Sequence, residues 1–303
     1  MSARTRILLL AAVLSVRTGA AAPDKSKAPA APAPQGFCIF GGQSGKSFGT
    51  LAAFKAAVWK SDVVYVGGSN SSADDQRARA AVLRTMREAR GARIAVGFDF
   101  LDTRTQPVLD DYAAGRISRE EFLERTEWRK RLAADFDLYK PVFDLIAQNR
   151  LKALALGLPA EISEIIKAGG LSALPGPDRA ALPEKLPISR NAGYLERLKA
   201  SFSPSGPDAS AAWENHLSAV SAWNESAGSR IAEFIGSNPG WAALVLAENE
   251  RLLYNAALPA SVKSRTSRLT QSSFYLDSAV KCPPALPKTH RDLANYVWYV
   301  VPS

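Results

Sequence analysis

The sequence predicts an α/β fold, a mostly parallel sheet flanked by helices, with an inserted helical subdomain. Short apolar runs bounded by turn residues recur at residues 37–40, 63–66, 93–98, 151–156, 241–247 and 296–301, and helical patterns separate most of them. Val63-Val64-Tyr65-Val66 runs into Gly67-Gly68 and the polar turn Ser69-Asn70-Ser71-Ser72, after which a charged amphipathic segment extends to Gly91. A strand, a helix and a second strand in that order imply a right-handed parallel crossover. In such a sheet ligands bind at strand carboxyl ends, so residues 67–72 are the first expected place for a site.

The amino terminus has the three-part layout of a secretory signal: Arg4 and Arg6, an apolar stretch over residues 7–16, and the small residues Gly19-Ala20-Ala21-Ala22. That apolar stretch is too short to span a bilayer of about 30 Å. Residues 1–21 are therefore assigned to a signal peptide, and the protein to a periplasmic or extracellular location. Residues 22–36, rich in Ala, Pro and Lys, cannot pack a core and read as a flexible linker. An α/β domain is expected over 37–303.

Gly41-Gly42-Gln43-Ser44-Gly45-Lys46-Ser47 resembles a phosphate loop. The position that needs the first glycine is Phe40, however, so the segment reads as a tight turn. A helix follows over residues 50–59. Within 73–90, Ala78, Ala81, Val82 and Ala89 recur at helical spacing, and Asp74, Asp75, Arg77, Arg79, Arg84 and Arg87 are assigned to the other faces. Ser71 or Ser72 caps this helix, and its acids and basic residues lie at the ends that suit the helix dipole. The next strand ends at Asp99.

Helical patterns over 106–115, 118–134 and 139–149 form one insertion, residues 106–149, with Ser118-Arg119-Glu120-Glu121 as a capping box. A loop over 169–189, a short helix over 192–202 and a long helix over 211–235 form the second, residues 169–235. The long helix carries Trp213, His216, Val220, Trp223 and Ile231 along one side. The strand at 241–247 leads into Glu248-Asn249-Glu250-Arg251.

With 303 residues, 47% hydrophobic and 22% charged, the chain can bury a sizeable core and is neither disordered overall nor fibrous. Its net charge of +9 falls to about +6 without the three arginines of the signal. No dense basic run interleaves with aromatics, which argues against nucleic acid and leaves small anionic ligands compatible. Cys38 and Cys282 are the two cysteines. In an oxidising compartment they can pair, closing a loop worth roughly 5 kcal/mol in the chain-entropy model; otherwise they are two buried thiols.

In order and spacing the chain resembles the ChaN family, the haem-binding domains of the Tiki superfamily. The resemblance covers nearly all of the expected mature chain. It rests on residues 62–67 with Asp75-Gln76, on Gln106-Pro107-Val108-Leu109-Asp110-Asp111-Tyr112, on residues 115–128 and on Leu138-Tyr139-Lys140-Pro141. It continues through Ala153-Leu154-Ala155-Leu156 with Pro159, residues 223–232, Leu252-Leu253-Tyr254 with Leu258-Pro259, and Asn295-Tyr296-Val297-Trp298-Tyr299. The family implies export, an α/β core with a helical subdomain, and haem or iron association; more distant relatives are metal-dependent proteases or other hydrolases. This chain departs where chemistry is expected. The family's Gly-Glu-x-His is Gly67, Gly68, Ser69 and Asn70 here, its Gly-x-Gly-His is Glu248, Asn249, Glu250 and Arg251, its glutamate after the second strand is Asp99, and its Ala-Gln…Trp-Asp stretch is Ala219-Val220…Trp223-Asn224. Neither Asn70 nor Arg251 can replace an imidazole as a metal ligand.

The resemblance thus implies an exported, ChaN-like protein that takes up haem or another small anionic ligand without catalysis. Candidate ligand-binding residues are His216, Tyr254, Tyr139 and Arg251. His216 can also be read as a packed or rim residue, the two tyrosines as core, and Arg251 as a salt-bridge partner of Asp99, Glu248 or Glu250. Gly67, Gly68, Asn70, Asp99 and Glu248 are the candidate pocket. His290 reads as a surface residue. Two other readings stand: a metal-dependent hydrolase using Asp99 with Glu248 or Glu250, since two carboxylates can hold a hard cation, and a structural protein with an empty pocket. A homodimer and a membrane-associated partner are both compatible.

Overall fold

The computed structural model describes residues 38–48, 50–132, 135–204 and 208–301. The signal-peptide and linker assignments lie outside the described residues. Among these, the strands are β1 (Ile39–Gly41), β2 (Val63–Val66), β3 (Ile94–Asp102), β4 (Lys152–Gly157), β5 (Ala242–Leu246), β6 (Gln271–Ser278) and β7 (Tyr296–Val300). They form one sheet in the order β1-β7-β6-β2-β5-β3-β4. Every pairing is parallel except that of β1 with β7. The sequence-predicted α/β class with a mostly parallel sheet is therefore the fold.

Helix α1 (Leu51–Trp59) precedes β2, and α2 (Ala73–Arg90) makes the crossover from β2 to β3. Four helices, α3 (Gln106–Ala113), α4 (Arg119–Arg125), α5 (Trp128–Leu132) and α6 (Phe136–Asn149), lie between β3 and β4. Between β4 and β5 come α7 (Ala160–Gly169), α8 (Gly176–Ala180), α9 (Ala192–Ser201) and α10 (Ala209–Ser237), and α11 (Leu258–Arg265) precedes β6.

Strand alternation divides the core. Val64 and Val66 pack with α1, α2 and the α3–α6 insertion, while Val63 and Tyr65 face α10 and α11. The insertion is no appendage: Phe122, Trp128, Phe136, Tyr139 and Phe143 form an aromatic layer against the sheet, with Phe98 stacked on Phe143 at 4.8 Å. On the other face α11 crosses α10 so closely that a Cβ at Gly228 would lie 2.1 Å from Ser261 Oγ. Ser72 caps α2 by accepting from the Asp75 N–H at 3.2 Å. Gln106 covers the outer edge of β4: its Oε1 accepts from Ala155 N at 2.8 Å and its Nε2 donates to Ala153 O at 2.9 Å, as a neighbouring strand would. The segment after β1 is a turn, with Phe40 bridged to Ser47.

Three differences from the sequence reading have physical causes, and one open choice is settled. The strand β6 went unread because its segment begins Gln271-Ser272-Ser273. Those polar groups are buried in pairs, Ser272 Oγ with Ser61 Oγ at 2.7 Å and Ser273 Oγ donating to Asn255 Oδ1 at 2.6 Å. On α2, Ala89 is exposed and Arg79 is buried, because strand ends surround the first half of the helix and solvent its last turn. His290 is half-buried, its Nδ1 hydrogen-bonded to the Tyr299 hydroxyl and its Nε2 lying 3.7 Å from Asp277. Of the two readings left open for the cysteines, the disulfide is present, joining Cys38 to Cys282.

Candidate functional site

Strands β2, β5 and β3 lie side by side; Gly67-Gly68 after β2, Ala247-Glu248 after β5 and Asp99 meet at one edge, Asp99 standing within β3, which runs on to Asp102 instead of ending at Asp99 as the sequence suggested. A guanidinium fills the place where these meet. Arg79, in the second turn of α2, is 0% exposed. Its Nε donates to Gly67 O at 3.0 Å, one Nη to Asn70 Oδ1 at 2.9 Å, and the other to Ala247 O at 2.8 Å and Gly68 O at 3.4 Å. All four acceptors are uncharged, and Asp99, Asp75 and Glu248 balance the cation only at longer range. Burial lowers the Arg79 pKa, and the fields of Asp99 and Asp75 oppose that shift.

Asp99 sits where the register between β3 and β4 shifts, past the last residue of β3 paired with β5. It is 8% exposed; its Oδ2 accepts from the Glu248 N–H at 2.9 Å, and its Oδ1 is buried with no partner among the described residues. Burial pushes its pKa up to about 6, against the Glu248 N–H and the cations of Arg251 and Arg79. Gly68, at φ +101°, leaves room for Asp75, whose Oδ2 accepts from the Ser69 N–H at 2.7 Å. A Cβ at position 68 would lie 2.7 Å from that same oxygen. Burial also raises the Asp75 pKa. Asn249 ties the rim together, its Oδ1 accepting from Gly68 N at 2.9 Å and its Nδ2 donating to Leu276 O at 2.7 Å.

Arg251 does not form the salt bridge that was one of its readings. Its guanidinium stacks over the Trp223 ring with the central carbon 3.9 Å from the centroid. Among the described residues its N–H groups have no hydrogen-bond or ion-pair partner, so they can receive an anion. His216 lies on the same side of α10, stacked on Trp213 at 5.7 Å and beside Phe202 at 5.0 Å. Burial lowers its pKa, and Glu250 and Arg251 both act on it electrostatically. His216, Trp213, Trp223 and Arg251 thus share one neighbourhood, with the imidazole neutral at physiological pH, the form that ligates metals.

The two tyrosines part company. Tyr139 reaches the strand-end site from the aromatic layer and feels Arg79, Asp99 and Glu248, but it is buried and its phenol is pushed up to about 12. That phenol is unsuited to bind iron as a phenolate. Tyr254, at φ 57°, packs its ring on Gly193 of α9 and is partly buried against a small core cluster that contains Tyr194 and Leu253.

With this geometry in place, the comparisons are decisive for the family. The family model described as "Haem-binding uptake, Tiki superfamily, ChaN" matches residues 55–262. The chain belongs to that family. The solved structure of ChaN of Campylobacter jejuni, described with cofacial haem binding, superposes with a TM-score of 0.65 at 13% identity, covering 88% of this chain and 97% of that one. The type III effector HopBA1 gives a TM-score of 0.47 at 9% identity, covering 83% of this chain and 93% of its own. The erythromycin esterase EreC gives 0.46 at 14% identity, covering 88% and 83%. No curated protein matches the chain significantly. At 13% identity the ChaN structure speaks for the fold alone.

The sequence reading missed Arg79, Asp75 and Asn249. A signal for the first two existed: Asp75, Arg79, Leu83 and Met86 fall at helical spacing on the buried stripe, and a charged pair inside an apolar stripe marks a polar site beneath it. Among the described residues no group of three or more His, Cys, Asp or Glu is placed to hold a metal ion. The buried Arg79 cation makes a second cation at the strand ends more costly still.

Proposed function

We propose that the chain is an exported, non-catalytic member of its family that binds haem or a similar anionic ligand on the α10 face, outside the strand-end site. The observation that carries this is the neighbourhood of His216, Trp213, Trp223 and Arg251. His216 would supply a nitrogen ligand, Trp213 an apolar surface, and Arg251, seated on the buried Trp223 ring, a donor pair for a carboxylate such as a propionate. The loss of catalysis is supported by Arg79, whose donors are committed to the main-chain oxygens of Gly67, Gly68 and Ala247 and to Asn70. With the family histidine positions occupied by Asn70 and Arg251, no imidazole base stands beside Asp99. Export is supported by the Cys38–Cys282 disulfide, a bond that persists in oxidising compartments.

Titration of the purified mature protein with haemin, followed at the Soret band, tests the proposal. Saturable one-to-one binding is expected, with His216→Ala shifting the ligand-field bands and weakening affinity at least tenfold. Arg251→Ala should weaken it by about threefold to tenfold, the range of a charge-assisted hydrogen bond at a partly exposed site. Tyr139→Phe should change nothing. Non-saturating uptake, or binding indifferent to both His216 and Arg251, would sink the proposal.

A further inference from the structure

The segment joining β6 to β7 brings a histidine over the ends of both strands. Asp277 and Tyr299 are register partners on these neighbouring parallel strands, so their side chains rise from the same face of the sheet. His290, in the short helical turn Lys288–His290, lies across them: its Nδ1 is hydrogen-bonded to the Tyr299 hydroxyl and its Nε2 stands 3.7 Å from Asp277 Oδ2. The connection is pinned on either side. Cys282 is bonded to Cys38, Leu286 and Leu293 are buried, Arg197 donates to Thr289 O at 2.8 Å, and Leu293 O accepts from Tyr254 N at 2.7 Å. The Tyr275 ring flanks the imidazole, with centroids 5.9 Å apart.

The separation of Nε2 and Oδ2 decides what the pair suits. At 3.7 Å it is too long for a hydrogen bond, whose N···O distance is about 2.7–3.2 Å. It fits two ligands of one metal ion: with bonds of about 2.1 Å each, 3.7 Å corresponds to an angle of about 124°, some 15° wider than tetrahedral. Both atoms can be reached from solvent, since the His290 and Asp277 side chains are 20% and 37% exposed. Asp277 Oδ1 accepts from the Ser278 N–H at 2.9 Å, and among the described residues Oδ2 and Nε2 face only each other. The Tyr299 contact completes the arrangement of a ligating histidine, in which one ring nitrogen binds the metal and the other donates to an oxygen that fixes the ring. In that tautomer Nδ1–H donates to the phenol oxygen and the Nε2 lone pair is free.

A neutral imidazole beside one carboxylate favours a borderline transition-metal ion over Mg²⁺ or Ca²⁺, which take oxygen ligands. We propose that His290 Nε2 and Asp277 Oδ2 hold a divalent transition-metal ion such as Zn²⁺, with water in the remaining positions and Tyr299 orienting the imidazole. Two protein ligands, one fewer than a catalytic zinc centre keeps, make this an exchangeable surface site.

The test titrates ZnCl₂ into untagged, metal-free mature protein at pH 7.5 by calorimetry, with long-range ¹H–¹⁵N spectra of the imidazoles recorded in parallel. With only two histidines in the chain, the ring signals are readily assigned. One ion per chain is expected, with a shift of the His290 Nε2 resonance, and a large excess of Mg²⁺ should not compete. His290→Gln should abolish binding. Asp277→Asn and Tyr299→Phe should each weaken it at least tenfold, since loss of even an outer-shell partner costs about 10–100-fold. The imidazole shift is read in the parent protein, so the result does not depend on any variant folding. No saturable binding, Zn²⁺ uptake that leaves the His290 ring unshifted, or indifference to Asp277→Asn would each overturn the assignment; the first would leave His290 and Asp277 as an ion pair alone.

Discussion

Replacing Arg79 with methionine should cost about 4 kcal/mol of stability, a large share of the 5–15 kcal/mol typical of a folded domain. The figure comes from what the guanidinium holds. Its bonds to Gly67 O, Ala247 O and Asn70 Oδ1, at 3.0, 2.8 and 2.9 Å, satisfy three acceptors at the ends of β2 and β5, and the Gly68 bond at 3.4 Å adds little. Orphaning buried acceptors costs about 1–3 kcal/mol apiece, and Asp99 and Asp75 would lose their nearby cation as well. Against this, an apolar side chain of similar length escapes the penalty of burying a charge, which is itself several kcal/mol. The balance is a net loss of about 4 kcal/mol, because water cannot reach the abandoned carbonyls of a residue that is 0% exposed. Urea unfolding at pH 7.5 would read this as a midpoint lower by roughly 1.3–2 M, for an m-value of about 2–3 kcal/mol/M. Arg79→Lys should fall between, since an ammonium keeps the charge but cannot span two strand ends. A methionine variant within about 1 kcal/mol of the parent would refute the reasoning that this cation organises the site.

Asp99 makes a pH prediction of definite sign. Its folded pKa of about 6 lies above the ordinary 3.8, so the native state binds the extra proton between those values. Its contribution is fully present below pH 3.8 and is lost as pH rises through 6, a change of about 3 kcal/mol at 1.36 kcal/mol per unit. Asp99→Asn keeps an acceptor for the Glu248 N–H and should remove this component; parallel urea curves for parent and variant at pH 4.5 and 7.5 check it, and an unchanged pH difference would contradict it. Breaking the Cys38–Cys282 disulfide, by reduction or by Cys38→Ser with Cys282→Ser, should destabilise by up to about 5 kcal/mol, given the 244-residue separation. An unchanged thermal midpoint would show that the bond constrains little.

The periodic parts of the fold were legible because one force sets both pattern and structure. Alternating Val63, Val64, Tyr65 and Val66 bury both faces of a central strand, and Ser72, Asp75 and Gly91 mark the ends of α2 by local hydrogen bonding that needs no tertiary context. The strand β6 was illegible for the opposite reason: Gln271, Ser272 and Ser273 are acceptable in a core only because Tyr65, Ser61, Asn255 and Asn295 meet them, and those partners come from elsewhere in the chain. The same holds for Arg251. Spacing could place it at a strand end, but not choose between a carboxylate and the face of Trp223.

The strand-end site is held as one hydrogen-bonded unit. Asn70 offers the oxygen that receives one arm of Arg79, Gly68 leaves the space that the Asp75 carboxylate fills, and Arg251 stacks on Trp223. Reinstating one member alone would therefore fail. A glutamate at position 68 would have to adopt a φ of +101° and place its Cβ 2.7 Å from Asp75 Oδ2, setting two carboxylates against each other in a buried space. A histidine at position 70 would present an imidazole to a guanidinium that now depends on an amide oxygen, and Arg79 would keep its hold on Gly67 and Ala247. Because the buried cation is bonded to the ends of both β2 and β5, the polar edge of this sheet is tied to the stability of the fold. New binding capacity in this chain is then expected on surfaces that Arg79 does not reach, such as the α10 face.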